Sequence, residues 1–277
     1  MQNKKLGYKN SLWRLLIYLF SVALIVPVIL SGAATGAENK SEVKRSGKAL
    51  SVQVAYKSAC APCHGVKGDG RTQAGSDFIQ PATDFTRGAY KFRSTAFGQL
   101  PTDADLVRSI RVGMPGTEMV PYDRLLSNAT IQELAVYLKS FSPAFQKGGP
   151  QTIVPIPPRP GAMTESTVAE GKKLYMSNGC ADCHGDLGKG SSDEEDEWGR
   201  YVLMISFAEG YYKSGYEPAD IYRSIAAGMN GTTMEGYAKE MSSTDIWKVV
   251  DFIQSLAKPK GWMNRLFGTT PSGFQYE

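Results

Sequence analysis

The chain has 277 residues, of which 42% are hydrophobic and 21% charged, and its formal net charge is +4. This composition is typical of a globular protein, and the length allows one large or two ordinary domains. With two histidines in all, the chain lacks the imidazoles for a three-histidine zinc site or for several independent histidine-based catalytic centres.

The first 37 residues have the pattern of an export signal. Four basic residues and no acid precede Leu15, and the sixteen residues from Leu15 to Leu30 carry no charge before a stretch of small residues ending at Ala37. Pro27 and the Gly/Ala-rich stretch favour a cleaved signal peptide, whereas the 23 uncharged residues 15–37 are long enough for an N-terminal membrane anchor. Either alternative predicts a periplasmic protein, or one held on the exported side of the cytoplasmic membrane.

The +4 charge belongs to this N-terminal segment. Residues 38–150 contain 15 basic and 10 acidic side chains, whereas residues 151–277 contain 12 basic and 17 acidic ones. Behind the signal the chain is neutral overall, so its charge gives no reason to predict a nucleic-acid partner. The acidic run 193–197 is interpreted as a solvated loop or as a docking patch for a basic protein.

The residues that follow the signal predict helices separated by irregular loops. Helices are predicted around 47–58 and 102–112, and apolar spacing with a weak capping signal at Ser127 predicts a helix over 128–141. In the last of these, Ile131, Leu134, Tyr137 and Leu138 form one apolar stripe. No convincing alternation of a strand appears, and the loops are rich in Gly, Pro and Asp, which predicts an all-α fold.

A proline-rich linker is predicted in the middle of the chain. Six of the fifteen prolines lie between Pro143 and Pro160. Proline removes backbone donors and favours extended chain, so a helix cannot cross this stretch. The predicted organisation is a signal peptide or membrane anchor (1–37), a first domain (38–142), the linker (143–162), a second domain (163–258) and a C-terminal tail (259–277).

The second domain repeats the first. At an offset of 115 residues, Ala104–Ile110 aligns with Ala219–Ile225, and Gly113–Met119 aligns with Gly228–Met234 without a gap. At the same offset, the apolar stripe of 128–141 aligns with apolar residues of the second domain. Helices are therefore predicted around 165–177, 217–227 and 243–257.

Every cysteine and every histidine lies in one of two pentapeptides, Cys60-Ala61-Pro62-Cys63-His64 and Cys180-Ala181-Asp182-Cys183-His184. Cys-x-x-Cys-His is the attachment signature of c-type haem. One helical turn lets each thiol form a thioether with a haem vinyl group, and the next residue directs its imidazole at the iron. The motifs predict two covalently attached haem c groups, bound through Cys60, Cys63, Cys180 and Cys183, with His64 and His184 as iron ligands.

Two other interpretations of the cysteine pairs fit less well. Structural zinc pairs usually lie about 15 to 20 residues apart, whereas these two motifs lie 120 residues apart. A dithiol redox site would be expected in a βαβ context, which the sequence does not show.

A sixth iron ligand has to come from another residue type, because no further histidine or cysteine exists. Methionine is the usual alternative in electron-transfer haems, and its thioether raises the reduction potential. In the first domain only Met114 and Met119 follow the haem motif, and their repeat partners are Met229 and Met234.

These motifs resemble those of class I cytochromes c, in particular two-domain dihaem members, over about 47–142 and 165–257. In that family the distal methionine commonly lies in a Gly-Thr-x-Met segment, which Gly116–Met119 and Gly231–Met234 match. The resemblance therefore implies Met119 and Met234 as iron ligands. Family members often carry proline directly after this methionine and this chain does not, so Met114 and Met229 remain alternatives.

Other residues are candidates to surround the haems. The candidates to line the haem pockets are aromatic: Tyr90, Phe92, Phe97, Tyr122, Trp198, Tyr201, Tyr222, Tyr237 and Trp247. The candidate partners of the haem propionates are Arg93, Arg108 and Arg223.

Iron with histidine and methionine ligands has no vacant position for a substrate. We therefore predict single-electron transfer between redox protein partners, as a carrier or as the cytochrome subunit of a larger membrane-associated redox complex, and not an enzyme. The alternative is a dihaem enzyme of the peroxidase or thiosulfate-oxidising type. A thiolate-ligated haem would need a fifth cysteine and a histidine-assisted peroxidase a third histidine, and the chain has neither.

Overall fold

The computed structural model describes residues 51–78, 80–190 and 194–257. The predicted signal or anchor (1–37) and the tail (259–277) lie outside these residues. Within them, no helix has both the length and the apolar character needed to cross a bilayer.

The first domain is built from five α-helices in its described part, and the predicted helices are confirmed. They are α1 (Val52–Ala59), α2 (Ala61–His64), α3 (Gln73–Asp77), α4 (Asp103–Val112) and α5 (Asn128–Lys139). Helix α4 begins where predicted because Thr102 and Asp105 form a reciprocal capping box. Helix α5 begins after Ser127, whose hydroxyl accepts a hydrogen bond from the Thr130 N–H.

A short helix, α6 (Pro143–Lys147), opens the predicted linker. This departs from the expectation of an extended segment. Proline is tolerated at the first helical position because the N–H that it lacks would have no partner there. Gly148, with a φ of 70°, ends the helix.

The second domain repeats this architecture. Its α-helices in the described residues are α7 (Glu165–Ser177), α8 (Cys180–His184), α9 (Pro218–Ala227) and α10 (Ser243–Ser255). Single turns of 3₁₀ helix occur at Phe85–Arg87, Phe207–Glu209 and Tyr237–Lys239. The described residues contain two isolated β-bridges and no extended strand, in agreement with the all-α prediction.

Each domain has its own apolar core, formed where its first and last long helices cross. In the first domain Tyr56 of α1 packs edge to face on Tyr137 of α5, with ring centroids 5.3 Å apart. In the second, Tyr175 of α7 packs on Phe252 of α10 at 5.1 Å. Gly171 lets α7 approach α10 closely, because a Cβ there would collide with the Lys248 carbonyl.

The linker binds to both domains. Its Val154 N–H donates to the Ser94 carbonyl of the first domain at 2.8 Å. Further along, the Pro157 carbonyl accepts from the Trp247 indole at 3.1 Å, and Arg159 forms an ion pair with the buried Asp251. The linker is therefore packed against both domains and is not a free connecting segment.

The two domains also contact each other directly and belong to one compact unit. The Arg93 guanidinium, 3% exposed, donates to the carbonyls of Ala227 and Gly228 at 2.9 and 3.0 Å. Arg108 forms an ion pair with Asp220 at 2.6 Å. These bonds connect the first domain to both ends of α9.

The same interface includes an amide contact. The Asn230 side chain accepts from the Gly98 N–H at 2.7 Å and donates to the Gln99 carbonyl at 2.8 Å. Asn230 directly follows Met229, so the interface reaches the methionine segment of the second domain.

Candidate functional site

The two Cys-x-x-Cys-His motifs form short helices, α2 and α8, at the ends of α1 and α7. The His64 N–H donates to the Cys60 carbonyl at 2.9 Å, which closes one helical turn across the motif. A tyrosine one turn upstream fixes each motif: Tyr56 donates to the Gly65 carbonyl at 2.7 Å, and Tyr175 to the Gly185 carbonyl at 2.8 Å. Both motifs are thus held in the same way.

Each histidine ring stacks on a phenylalanine. The centroids of His64 and Phe85 lie 4.4 Å apart, and those of His184 and Phe207 lie 4.9 Å apart. Burial lowers the pKa of both imidazoles. Each ring is therefore held in its neutral form, which is the form that binds a metal.

The two histidines differ in one respect. The Nδ1 atom of His64 lies 3.1 Å from the Thr83 carbonyl oxygen. The Nδ1 atom of His184 is buried and has no hydrogen-bond partner among the described residues. The first imidazole is therefore oriented by a backbone acceptor and the second by packing against Phe207.

The methionine segments form identical turns in the two domains. In each, the first methionine N–H donates to the carbonyl of the second at 2.8 Å, as from Met114 to Met119 and from Met229 to Met234. The Thr117 hydroxyl donates to the Met114 carbonyl at 2.8 Å, and Thr232 repeats this contact. These bonds hold the backbones of both methionines of each pair in one turn.

Glycine is required at the entry to each turn. Gly228 has φ 67° and ψ −173°, and a Cβ there would lie 2.7 Å from the Met234 carbonyl oxygen. Gly113 has the same φ within one degree, and its Cβ would strike the Met119 carbonyl. No other residue allows this close approach.

All ten predicted cysteine, histidine and methionine residues line one largely apolar cavity that the two domains share. They are Cys60, Cys63, His64, Met114, Met119, Cys180, Cys183, His184, Met229 and Met234. Paired thiols, a neutral imidazole and thioether sulfurs around an apolar space fit a covalently bound haem. The cavity does not separate Met114 from Met119 or Met229 from Met234, because it contains all four.

The partly buried thiols of Cys60 and Cys180 do not fit a dithiol redox site. Burial raises the pKa of Cys60 and of Cys180 to about 11. Reactive cysteines of redox enzymes have lowered pKa values, because the thiolate is the nucleophile.

The candidate aromatic residues divide into two groups. Tyr90, Phe92, Tyr122 and Tyr237 line the cavity. Phe97, Trp198, Tyr201, Tyr222 and Trp247 are not among its lining residues, and the last two pack on each other with centroids 4.7 Å apart.

The three candidate arginines lie elsewhere. Arg93 and Arg108 bind the other domain through the contacts given above, and Arg223 pairs with Asp220 within α9 at 2.8 Å. None of them lines the shared cavity.

The acidic run contains one residue with a structural role. Asp196, 5% exposed, accepts hydrogen bonds from the backbone N–H groups of Trp198 and Arg200 and pairs with the Arg200 guanidinium at 2.8 Å. This carboxylate shapes the loop and does not face solvent. Asp193 lies outside the described residues.

Family models match each half of the chain. Residues 168–257 match the model described as "Cytochrome c", and residues 47–138 match "Cytochrome C oxidase, cbb3-type, subunit III". A chain of the Kuenenia stuttgartiensis reducing HAO-like protein complex Kustc0457/Kustc0458 is 37% identical, with a TM-score of 0.71, over 75% of this chain and 96% of that chain. This protein belongs to the class I c-type cytochromes.

The cytochrome therefore consists of two tandem all-α domains with two covalently attached haem c groups, and its role is electron transfer. It is also 24% identical over 213 residues to the cbb3-type cytochrome c oxidase subunit FixP of Azorhizobium caulinodans. That match covers 74% of this chain and 58% of the relative, so the cytochrome spans little more than half of that protein.

The glycine at the methionine turn provides a test of this site. Gly228→Ala is expected to destabilise the cytochrome by about 3 kcal/mol, because it combines an unfavourable φ with a collision against the Met234 carbonyl. Denaturant unfolding measures this change. The matched control is Gly98→Ala, where φ is 80° but a Cβ meets no atom within 4 Å. Equal losses of stability in the two variants would show that the collision with the Met234 carbonyl does not contribute to the effect of Gly228→Ala.

Proposed function

We propose that this cytochrome passes single electrons between redox proteins, with His64 and Met119 as iron ligands in the first domain and His184 and Met234 in the second. Cys60, Cys63, Cys180 and Cys183 hold the two haems through thioether bonds. A haem c group supplies one-electron chemistry at its iron. The largely apolar lining would exclude water from the haems, and the turns and helices described above would hold the iron-binding side chains in place.

The observation that carries this proposal is the single apolar cavity in which both sets of side chains meet. The lining residues come from both domains and include both haem motifs and both methionine turns. An apolar surrounding limits how much solvent rearranges when an electron arrives. A shared cavity also favours short distances between the two sites, which suits transfer within the molecule.

The choice of methionine rests on the Gly-Thr-x-Met turn. In each turn the threonine hydroxyl bonds back to the preceding methionine carbonyl and accepts from the N–H of the following methionine, at 3.2 Å for Met119 and for Met234. The first methionine is held at its backbone as well, through its N–H and its carbonyl, so the turn alone does not separate the two. We propose Met119 and Met234 because they occupy the methionine position of the Gly-Thr-x-Met segment that this chain shares with class I cytochromes c.

We also propose that the cytochrome is a subunit of a larger redox complex and acts on the exported side of a membrane. One relative is a subunit of a cytochrome oxidase, and the solved relative belongs to a two-component complex. The donor and acceptor are then proteins that bind this chain directly. Under this proposal the chain relays electrons and leaves substrate chemistry to its partners.

A haem count tests the foundation of the proposal. The pyridine haemochrome spectrum is expected to give two haems c per chain, and one in the Cys180→Ser/Cys183→Ser variant. Carbon monoxide should not bind the reduced wild-type protein, since methionine occupies the sixth position of each iron. Ready binding of carbon monoxide would instead favour a dihaem enzyme with an open iron.

A further inference from the structure

The two domains share a second repeated motif, which the alignment at an offset of 115 residues does not include. Phe85-x-x-Gly88-x-Tyr90-Lys91 matches Phe207-x-x-Gly210-x-Tyr212-Lys213 at an offset of 122. In each copy the phenylalanine stacks on the haem-motif histidine, and the glycine is left-handed, with φ of 69° and 66°. The tyrosine and the lysine therefore stand in equivalent places beside the two candidate haem sites.

The two tyrosine hydroxyls have no partner in the described structure. Tyr90 is 8% exposed and Tyr212 7%, both line the shared cavity, and neither hydroxyl has a hydrogen-bond partner among the described residues. Burial raises the pKa of both phenols, so each remains a neutral O–H donor. A buried donor without an acceptor destabilises the folded protein. Two such donors at repeated positions indicate acceptors that belong to a bound group.

The two lysines add positive charge to the same cavity. Lys91 and Lys213 both line it, and burial together with the charge of Lys91 lowers the pKa of Lys213 to about 8. The Lys213 ammonium donates to the Gln80 side chain at 3.1 Å and to the Leu203 carbonyl at 2.6 Å, both of which are uncharged acceptors. Gln80 belongs to the first domain, so this lysine lies at the junction of the domains.

The carboxylates nearby do not neutralise these lysines. Asp196, which faces Lys91, is already paired with Arg200. Glu118 is the one acidic residue among the described lining residues, against Lys91, Arg200 and Lys213. Buried cations are stable when an anion pairs with them. The cavity therefore has an excess of positive charge as well as of hydroxyl donors.

We propose that Tyr90 with Lys91 and Tyr212 with Lys213 form a carboxylate-binding site at the domain junction, which receives the propionates of the two haems. A propionate carboxylate accepts both from a tyrosine O–H and from an ammonium group. This inference rests on the haem positions of the proposed function. Because both lysines line one cavity, each contributes to the electrostatic potential at both haems.

Reduction potentials of the full cytochrome test the proposal. Lys213→Met and Lys91→Met are each expected to disfavour the reduced state about tenfold, which corresponds to about 59 mV for one electron. The potential falls because a positive charge that stabilises the added electron is gone. Lys213→Arg retains the charge and should stay near the wild-type potential. The matched control Lys239→Met removes a charge from an exposed position and should leave both potentials unchanged.

Two further measurements distinguish propionate binding from a general effect of surface charge on the potentials. They are the potentials at high salt and the potentials of tyrosine variants. The shifts should persist at high salt, because Lys91 and Lys213 are partly buried and such charges are screened much less than exposed ones. Tyr90→Phe and Tyr212→Phe, which remove only a hydroxyl, should lower the potentials in the same direction. Tyr211→Phe, at the exposed neighbour of Tyr212, should not.

The proposed site is wrong if the lysine and tyrosine variants keep both haems, wild-type potentials and the near-infrared absorption band that methionine bound to oxidised haem iron produces. Such a result would leave the proposed function intact, since haem content and the band report on that function separately. If Lys213→Met loses haem during maturation, the comparison of Lys213→Arg with the tyrosine variants still decides the question.

Discussion

Met119→Ala and Met234→Ala are each expected to remove the near-infrared methionine-to-iron band of one haem and to leave the band of the other. A thioether stabilises reduced iron, so the potential of the affected haem should fall. The vacated position should also bind carbon monoxide in the reduced protein. Near-infrared absorption of the oxidised protein and a carbon monoxide difference spectrum measure these changes.

The matched controls are the other methionines of the two turns. Met114→Ala and Met229→Ala remove side chains that line the same cavity, and they should retain both bands. The double variant Met119→Ala/Met234→Ala should lose the band entirely. If the band instead disappears in Met114→Ala and Met229→Ala, the iron ligands are those residues and the assignment is wrong.

Arg93→Met is expected to destabilise the cytochrome by about 3 kcal/mol, since hydrogen bonds from a charged group contribute about 1.5 to 3 kcal/mol each. The substitution removes both donors to the Ala227 and Gly228 carbonyls, which lie at the end of α9. Burial lowers the pKa of Arg93 to about 10, so it remains charged at neutral pH. Chemical denaturation followed by far-ultraviolet circular dichroism gives the change in free energy.

The position of Arg93 predicts a second effect in the other domain. Gly228 precedes Met229, so loss of the guanidinium should broaden or shift the band of the second haem more than that of the first. Arg93→Lys should recover only part of the stability, because one ammonium cannot reproduce the planar fork. Arg111→Met, at an exposed position on α4, should change stability by less than about 0.5 kcal/mol. A similarly small change in Arg93→Met would show that the interdomain bonds do not hold the domains together.

Much of this fold could be predicted because local chemistry determines it. Helices α4, α5 and α10 begin directly after Thr102, Ser127 and Ser242. The hydroxyls of these residues accept hydrogen bonds from backbone N–H groups in the first turn of each helix. The haem motifs could be predicted as well, since Cys-x-x-Cys-His is the attachment signature of c-type haem.

The contacts between the domains could not be predicted in the same way. Arg93, Asn230 and Gln80 lie in loops, where no periodicity indicates which side chain faces the other domain. The Phe-x-x-Gly-x-Tyr-Lys repeat does not appear in the alignment at an offset of 115 residues for a related reason. Loop lengths differ between the domains, so the haem motifs, this repeat and the methionine turns align at offsets of 120, 122 and 115. An alignment at one offset finds only one of the three.

The contact of Arg93 with α9 also couples the stabilities of the two domains. Its guanidinium belongs to the first domain, and both of its acceptors, the Ala227 and Gly228 carbonyls, belong to the second. These hydrogen bonds exist only while both domains are folded, so unfolding of either domain removes their contribution from the other. Each haem site therefore depends on the folded state of both domains.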